Sequence, residues 1–239
     1  MEIKAVKAAK DYIRQRNGSN VLTAVSETSL ELKSGTLTAI SGPSGSGKST
    51  LLCMMAGLLP PSRGKILAGD IDIYSMEDKE LSGFRNTHIG FIPQGQTPLM
   101  ALNVMENVLV PFSLYNKTKG RAYEETAAFG QELMKEAGLW ELRGVMPSEL
   151  SGGELRRMAV CRALCMKPEI VLADEPTGDL DEENTGIVMN LLKSHAENGG
   201  TVFVVTHDRQ VWEYSDTVLY MKSGIITADK SILFKNNPR

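Results

Sequence analysis

The spacing of apolar and polar positions changes several times along the chain, and each change predicts a different kind of element. Three segments near the start, at 3–13, 21–32 and 35–42, contain β-branched residues in partial alternation with polar ones, which predicts strands. The third segment, GTLTAISG, is apolar enough for a buried strand and leads directly into a glycine-rich loop. A run with helical spacing follows at 48–59 and stops at Pro60-Pro61.

After about residue 100 the pattern becomes helical. The segments 101–114 and 122–139 are rich in helix formers, and the Lys- and Gly-rich stretch YNKTKGR between them predicts a loop. Further strands are expected at 64–73, 88–94, 169–176 and 201–208, a helix at 183–200 and a hairpin at 217–228. We therefore expect one α/β domain over 1–239, with a helical subdomain inserted at about 96–158.

Composition and charge narrow the functional classes. Of the 239 residues, 42% are hydrophobic and 23% are charged, as in ordinary globular proteins. The net charge of −3 gives no basic surface, so nucleic acid is not expected as a partner. The apolar stretch LLCMMAGLLP is too short to span a bilayer, and the first residues have no secretory signal pattern, so we expect a cytoplasmic protein.

The three cysteines all fall in apolar helical segments. Cys161 and Cys165 have the i, i+4 spacing that metal ligands can use, but no nearby His or Cys completes a ligand set. Together with Cys53 they are expected to be buried free thiols in a reducing compartment.

The stretch GPSGSGKST predicts a phosphate-binding loop. It fits the pattern G-x-x-x-x-G-K-[ST] and lies between a predicted strand and a predicted helix, a context that a surface turn of similar composition lacks. Its glycines let backbone N–H groups surround phosphates, its lysine reaches the β- and γ-phosphates, and its serine places a hydroxyl on Mg²⁺. The expected ATP-binding residues are Gly42, Pro43, Ser44, Gly45, Ser46, Gly47, Lys48, Ser49 and Thr50, with Ser49 also a metal ligand.

The segment EIVLADEP supplies two acids at the end of an apolar strand. In proteins with a phosphate loop of this kind, an acid at such a strand end holds Mg²⁺, which suits Asp174. Glu175 follows it and is a candidate general base for the water that attacks the γ-phosphate. An isolated Asp-Glu pair could simply end a strand in a polar turn. Because the phosphate loop needs such a strand, we expect this strand to lie beside it.

A second candidate anion site occurs at LSGGE, residues 150–154. Ser151 and Glu154 have the spacing of a capping box at the start of a helix. Gly152 and Gly153 leave the backbone there open to an anion at the positive end of the helix dipole. An ordinary capped helix would account for Ser151 and Glu154 but not for the two glycines.

These motifs together resemble the ATP-binding subunits of ABC transporters, over nearly the whole chain. The resemblance implies an α/β fold: a P-loop NTPase core with a parallel sheet, an N-terminal antiparallel β subdomain and an inserted α-helical subdomain. It identifies 150–154 as the family signature, with Glu154 in place of the commoner Gln. By the same resemblance Gln94 is a catalytic residue and metal ligand, His207 is catalytic, Tyr12 stacks on adenine, and Asp181, in the loop 178–181, belongs to the nucleotide site.

The resemblance also implies partners and a location. Ser151, Gly152, Gly153 and Glu154 would bind the γ-phosphate held by Lys48 of a second copy, so that a head-to-tail homodimer encloses two ATP molecules with Mg²⁺. A separate transmembrane permease would hold the dimer at the inner face of the cell membrane. The segments around Gln94 and Asp174 are most similar to the lipoprotein-releasing, macrolide-export and antimicrobial-peptide-resistance ATPases.

Two departures from that subfamily stand out. Pro93 precedes Gln94 where Phe or Tyr is commoner, and Asp179 occupies a position that is usually Asn. Neither removes a catalytic group, but both leave the cargo open.

The alternative is an ABC ATPase outside transport, in DNA repair or translation. The interval 51–149 leaves no room for the long coiled coil that separates the two anion sites of a DNA-repair ATPase. Translation-associated members carry two cassettes in one chain, whereas one is present here. Both observations favour transport.

Overall fold

The computed structural model describes residues 1–13, 21–95, 97–115 and 123–227 of the chain. The strands are β1 (Ile3–Ile13), β2 (Val21–Leu32), β3 (Thr36–Ser41), β4 (Arg63–Ala68), β5 (Ile71–Asp72), β6 (Ile89–Ile92), β7 (Ile170–Asp174), β8 (Thr201–Val205), β9 (Thr217–Lys222) and β10 (Ile225–Thr227). The helices are α1 (Lys48–Met55), α2 (Asp78–His88), α3 (Val104–Tyr115), α4 (Tyr123–Glu136), α5 (Gly152–Leu164), α6 (Glu182–Glu197) and α7 (Gln210–Tyr214).

The smaller of the two sheets is antiparallel, with the strand order β2-β1-β4-β5. Its register is fixed at Ile3, which lies opposite Leu32 on one side and Ala68 on the other. The two long strands predicted at the start of the chain are confirmed, as is the N-terminal antiparallel β subdomain.

The larger sheet has the order β10-β9-β3-β8-β7-β6, and all of its neighbours except β9 and β10 are parallel. Every residue of β7 and β8 is buried, as expected for parallel strands covered on both faces. The acid-bearing strand β7 is separated from β3 by β8, yet its last residue, Asp174, lies beside the phosphate loop as expected. The loops after β3, β6, β7 and β8 nevertheless emerge at the same edge, where α/β proteins bind ligands.

Alternate side chains of the large sheet enter two separate cores. Leu172 and Phe203 pack with α1, α2 and the small sheet. Val171 and Val202 point to the opposite face and pack with residues of α3, α4, α5 and α6. The phosphate-loop edge is therefore supported by packed helices on both faces.

The first helix ends earlier than its apolar pattern predicts. The pattern extends to residue 59, whereas α1 stops at Met55. Gly57 has a left-handed backbone, with φ of 69°, and the Leu58 amide donates to the Cys53 carbonyl 3.0 Å away. This is the usual glycine termination of a helix, so the residues before Pro60 form a turn.

Two helices, α2 and the short α7, were not predicted; α2 is the longer. Its N-terminus is capped by Glu77, whose amide donates to the Glu80 carboxylate at 3.2 Å, and it buries only Leu81 and Phe84. A mostly polar segment with two buried side chains gives a weak periodic signal.

The helical region between β6 and β7 consists of α3, α4 and α5. Most of the loop predicted there, at 116–121, lies outside the described residues. The buried Asn107 side chain binds backbone atoms of Leu99, Leu102 and Asn103 and so fixes the segment that precedes α3. Among the helices of the described residues, none combines enough length and apolar character to cross a membrane. The three cysteines are free thiols, and two of them are buried.

Candidate active site

The loop between β3 and α1 has a backbone that only glycine can adopt at two close approaches. Gly42 and Gly47 have φ values of 148° and 104°. A Cβ atom on Gly42 would overlap the Met221 carbonyl, and one on Gly47 would overlap the Ala24 carbonyl. The loop is therefore wedged between β2 and β9, and its curvature is built into the fold.

Two backbone hydrogen bonds of one peptide, that of Gly224, hold the phosphate loop. The Gly224 amide donates to the Ser46 carbonyl at 2.9 Å, and the Gly224 carbonyl accepts from the Ser26 amide, also at 2.9 Å. The turn between β9 and β10 thus connects the phosphate loop to β2.

Lys48 is the cation of this loop. Its ammonium donates to the Gly42 and Pro43 carbonyls at 2.8 and 2.9 Å and lies 3.4 Å from the Ser46 hydroxyl. Burial lowers the pKa of Lys48, while the charges of Glu175 and Asp174 oppose that shift. A buried cation held by neutral carbonyls can bind an anion strongly.

Asp174 ends β7 and is 6% exposed. Burial raises its pKa, and interaction with the Ser49 hydroxyl opposes the rise. Its Oδ1 atom is buried and has no hydrogen-bond partner among the described residues. A buried carboxylate oxygen without a partner is costly unless a ligand satisfies it.

Glu175 is held in a left-handed conformation, with φ of 49°, by its amide, which donates to the Val205 carbonyl at 2.8 Å. One carboxylate oxygen lies 2.9 Å from Nδ1 of His207, and the other is buried without a partner among the described residues. The hydrogen bond from Glu175 and its charge raise the pKa of His207, whose side chain is 77% exposed. The acid is sheltered while the histidine projects into solvent.

These groups line one cavity of about 760 Å³, within the size range of small-molecule sites. Of the predicted site residues, the cavity brings together Tyr12, Gly42, Ser44, Gly45, Ser46, Gly47, Lys48, Ser49, Thr50, Gln94, Asp174, Glu175 and His207. Pro43 contributes its carbonyl to Lys48 from behind the cavity.

The structure does not bring the second predicted anion site to this cavity. Ser151 caps α5: its hydroxyl accepts from the Glu154 amide at 3.3 Å, and its amide donates to the Glu154 carboxylate at 2.7 Å. Gly153 packs against the Asn184 side chain, and Asp181 caps α6 through the Asn184 amide at 2.8 Å. The capping box is confirmed, and the residues at the tip of α5 are not among those that line the cavity of the chain's own phosphate loop.

Sequence reasoning missed several residues that line the cavity. They are Leu22, Thr23 and Ala24 of β2, Val205 at the end of β8, and Ser223 and Gly224 in the last turn. The available signal was the Ser-Gly pair between two apolar strands, a common turn sequence. Both members have positive φ values, of 49° and 80°.

A parallel α/β sheet with a phosphate loop after one strand and a buried acid pair after another defines a P-loop nucleotide hydrolase. A family model described as ABC transporter matches residues 25–178. The chain belongs to the ABC transporter family, as an ATP-binding and ATP-hydrolysing subunit.

Individual relatives agree with this assignment. The chain is 36% identical over 230 residues to the lipoprotein-releasing system ATP-binding protein LolD of Buchnera aphidicola, covering 96% of this chain and 97% of LolD. It is 37% identical over 221 residues to the macrolide export ATP-binding/permease protein MacB of Rhodopirellula baltica, covering 92% of this chain and 32% of MacB. A dimeric structure of the cassette MJ0796 bound to ADP and Pi superimposes with a TM-score of 0.84 at 34% identity, covering 95% of this chain and 98% of that one. These relatives favour transport over the DNA-repair and translation alternatives.

Proposed function

We propose that this chain hydrolyses ATP as one half of a head-to-tail homodimer and so drives a separate membrane permease. The observation that carries the proposal is the split between the two anion sites: Lys48, Asp174, Glu175 and His207 share one cavity, whereas the tip of α5 at Ser151 lies outside it. One site then binds the chain's own ATP, and the other completes the site of the partner.

In this proposal the cavity binds the nucleotide along its length. The Tyr12 ring, 39% exposed at one end of the cavity, stacks on adenine. The amides of the loop 42–50 and the start of α1 surround the phosphates, and Lys48 turns its ammonium from the loop carbonyls toward the β- and γ-phosphates.

The residues present fit Mg²⁺. The partnerless Asp174 Oδ1, the Ser49 hydroxyl and the Gln94 amide oxygen are the oxygen ligands that this ion prefers. When bound, Mg²⁺ neutralises charge that develops on the phosphate oxygens. Ser49, Asp174 and Gln94 are therefore assigned to hold it.

Glu175 and His207 are assigned to the chemical step. Glu175 accepts the proton of the attacking water, whose oxygen forms the new bond to the γ-phosphorus as the bond to ADP breaks. Glu175 holds His207 through Nδ1, which leaves the second ring nitrogen, Nε2, to contact the γ-phosphate.

Ser151, Gly152, Gly153 and Glu154 contact the γ-phosphate of the other copy, with Asp181 beside them. The positive end of α5 and its first-turn amides attract that phosphate. MJ0796, a relative of similar length, is dimeric with ADP and Pi bound, which supports a nucleotide-bound dimer here.

The permease would dock between α2, α3 and the end of α5. A groove of about 480 Å³ lies there, lined by apolar residues that include Leu99 and Leu114, which are 46% and 78% exposed. Docking of a cytoplasmic segment of the permease would cover them and place the chain at the inner face of the membrane. Cysteine at position 99 should then cross-link in cells to an integral membrane protein with several spans. Capture of soluble proteins alone would contradict this part of the proposal.

Mixing two inactive variants tests the head-to-tail arrangement. Lys48→Ala destroys a chain's own site, and Ser151→Arg destroys only what that chain lends to its partner. A mixed dimer has one intact site, formed by Lys48 of one chain and Ser151 of the other, so hydrolysis should reappear on mixing. Lys48→Ala mixed with Glu175→Gln is the matched control: both dimer sites stay defective and no activity should return. Equal behaviour of the two mixtures would refute the shared site.

A further inference from the structure

Arg156 of α5 is a charged side chain that the proposed chemistry does not use. Its side chain is only 5% exposed. Its Nη1 donates to the Pro93 carbonyl at 3.2 Å and to the Gly95 carbonyl at 3.1 Å. These carbonyls belong to the residues immediately before and after Gln94, so the guanidinium holds the backbone on both sides of that residue.

The environment of Arg156 explains why this grip is strong. Within the described residues no carboxylate lies within 4.0 Å of it, so its hydrogen bonds go to carbonyls and its charge is balanced from a distance. Burial lowers the pKa of Arg156, and the negative charges of Asp179 and Glu175 oppose that effect. Hydrogen bonds from a charged, desolvated donor are stronger than neutral ones.

Two residues act on this guanidinium, one through a hydrogen bond and one through its charge at a distance. Pro93 offers its carbonyl to Arg156, and its ring restricts the backbone just before Gln94. Asp179, which has a φ of 61°, supplies a negative charge that favours the charged form of Arg156. A buried cation, a rigid residue at its acceptor and an added countercharge form one local arrangement.

The free side chain in this arrangement is that of Gln94. It is exposed, it lines the nucleotide cavity and it makes no hydrogen bond among the described residues. The backbone at Pro93 and Gly95 therefore sets the position from which the Gln94 side chain starts. Arg162, further along α5, binds Thr97 at 2.8 and 3.0 Å and holds the same segment at a greater distance from Gln94.

We propose that Arg156 is a positioning residue for Gln94, which it fixes to the helix that begins at Ser151. The inference rests on the role proposed above for Gln94. It means that α5 links a chain's own ATP site to the phosphate of its partner: a displacement of α5 at Ser151 is transmitted through Arg156 to Gln94. Arg156 itself is not among the residues that line the nucleotide cavity.

A double-mutant cycle on the full chain tests this. Arg156→Met keeps the length and apolar contacts of the side chain, and we expect kcat for ATP hydrolysis to fall by roughly 10–10²-fold, the usual effect of misplacing a group that contacts the reaction. ATP affinity of the monomer, set by the phosphate loop, should stay at the parental value. Gln94→Ala should lower kcat similarly, and adding Arg156→Met to it should cause no further loss, because Arg156 acts only through Gln94.

Two further variants complete the experiment. Arg156→Lys retains the charge but not the paired donors, so it should recover part of kcat, and it replaces Arg156→Met in the cycle if that protein does not fold. Arg162→Met is the matched control on the same helix and segment, and it should leave kcat closer to the parental value than Arg156→Met does.

The outcomes separate this inference from the proposed function. If Gln94→Ala is impaired and Arg156→Met lowers kcat further by its full single-mutant factor, the guanidinium acts by another route and the inference is overturned alone. Parental kcat in Arg156→Met overturns it as well. Parental kcat in Gln94→Ala contradicts the proposed role of Gln94 and removes this inference with it.

Discussion

Two helix N-termini, at α1 and α5, are proposed to bind phosphate, and they differ in what surrounds them. At α1, the loop before Lys48 is wedged between strands and faces Asp174 and Glu175 across a cavity. At α5, Ser151 is exposed and its side chain is occupied in capping its own helix. Beside the first terminus lie the metal ligand and the general base of the proposed hydrolysis. The second terminus contributes only the positive end of a capped helix.

The difference shows that a helix can be rigidly packed although its N-terminus is only part of a site. The body of α5 is as well packed as that of α1, since Met158, Val160 and Cys161 are buried in the large core. A rigid helix with an exposed, polar tip is suited to a ligand held by another molecule. Experiments that disturb the two termini in parallel can therefore break or sharpen the comparison.

The largest effect is expected at the acid pair beside α1. Glu175→Gln cannot accept a proton, so hydrolysis should fall by roughly 10²–10⁴-fold. It also removes a negative charge beside the γ-phosphate, so the variant should elute as a dimer with ATP and as a monomer with ADP. Asp174→Asn is the control: it weakens Mg²⁺-dependent binding and should give no trapped dimer. Parental hydrolysis without dimerisation in Glu175→Gln would show that the two acids do not divide the work in this way.

Removing the cation of α1 should affect both binding and turnover. Lys48→Ala should lower hydrolysis by at least about 10²-fold, since it deletes a charged donor aimed at developing negative charge. Nucleotide affinity of the isolated monomer should fall with it, measured by titration with a fluorescent ATP analogue. Unchanged turnover would remove the basis for the phosphate-loop assignment.

At α5 the same two measurements should separate. Ser151→Arg places a bulky cation at the helix tip and should block hydrolysis by the dimer, by roughly 10²-fold. The affinity of the monomer for ATP should remain parental, because the tip lies outside its own cavity. Loss of monomer affinity equal to that of Lys48→Ala would make the two termini parts of one site.

A smaller effect concerns the stability that each terminus contributes. Ser151→Ala removes the acceptor for the Glu154 amide and should lower the free energy of unfolding by about 1 kcal/mol, the typical value of an N-cap. Chemical denaturation of the nucleotide-free protein measures it. Ser148→Ala, an exposed serine in the preceding turn, is the matched control and should cause no change.

The smallest effect is in pH dependence, and its sign should differ between the two regions. The Glu175 hydrogen bond raises the pKa of His207, so its stabilisation is present below the ordinary histidine pKa and is lost as pH rises through the raised value. The Ser151 amide and hydroxyl lower the pKa of Glu154, so its stabilisation is present above the ordinary value and is lost as pH falls.

Melting temperatures measured at several pH values would show this difference in sign. His207→Ala should differ more from the parent at about pH 5.5 than at about pH 8.5, and Glu154→Gln more at about pH 7 than at about pH 3.5. His207 is exposed and Glu154 is only partly buried, so the differences in melting temperature should be slight. If the melting-temperature differences of both variants grew in the same direction of pH, the two hydrogen-bond patterns would be contradicted.

Much of the fold could be predicted because its signals are local. Buried parallel strands such as β7 and β8 are apolar throughout, and the glycine loop must follow a strand and precede a helix. Strand order is not local, which is why the position of β8 between β3 and β7 was missed. The polar helix α2 was not predicted because its two buried residues are too few to produce a helical period in the sequence.

The candidate site divides in the same way. Lys48 and Asp174 belong to motifs whose chemistry is visible in the residue types, whereas His207 was assigned only through the family resemblance. Ala24 and Gly224 contribute through backbone atoms, and any small residue would look the same in the sequence. Contacts of this kind depend on how distant segments meet, so a structure is needed to find them.

The peptide of Gly224 has a consequence for which molecules the cavity can accept. It joins the Ser46 carbonyl to the Ser26 amide of β2, and β2 pairs Leu22 with Tyr12. Backbone hydrogen bonds thereby connect the phosphate loop to the strand pair that carries Tyr12. Under the proposed function, inorganic triphosphate would engage the phosphate loop and leave Tyr12 without a ligand, so it should bind less tightly than ATP.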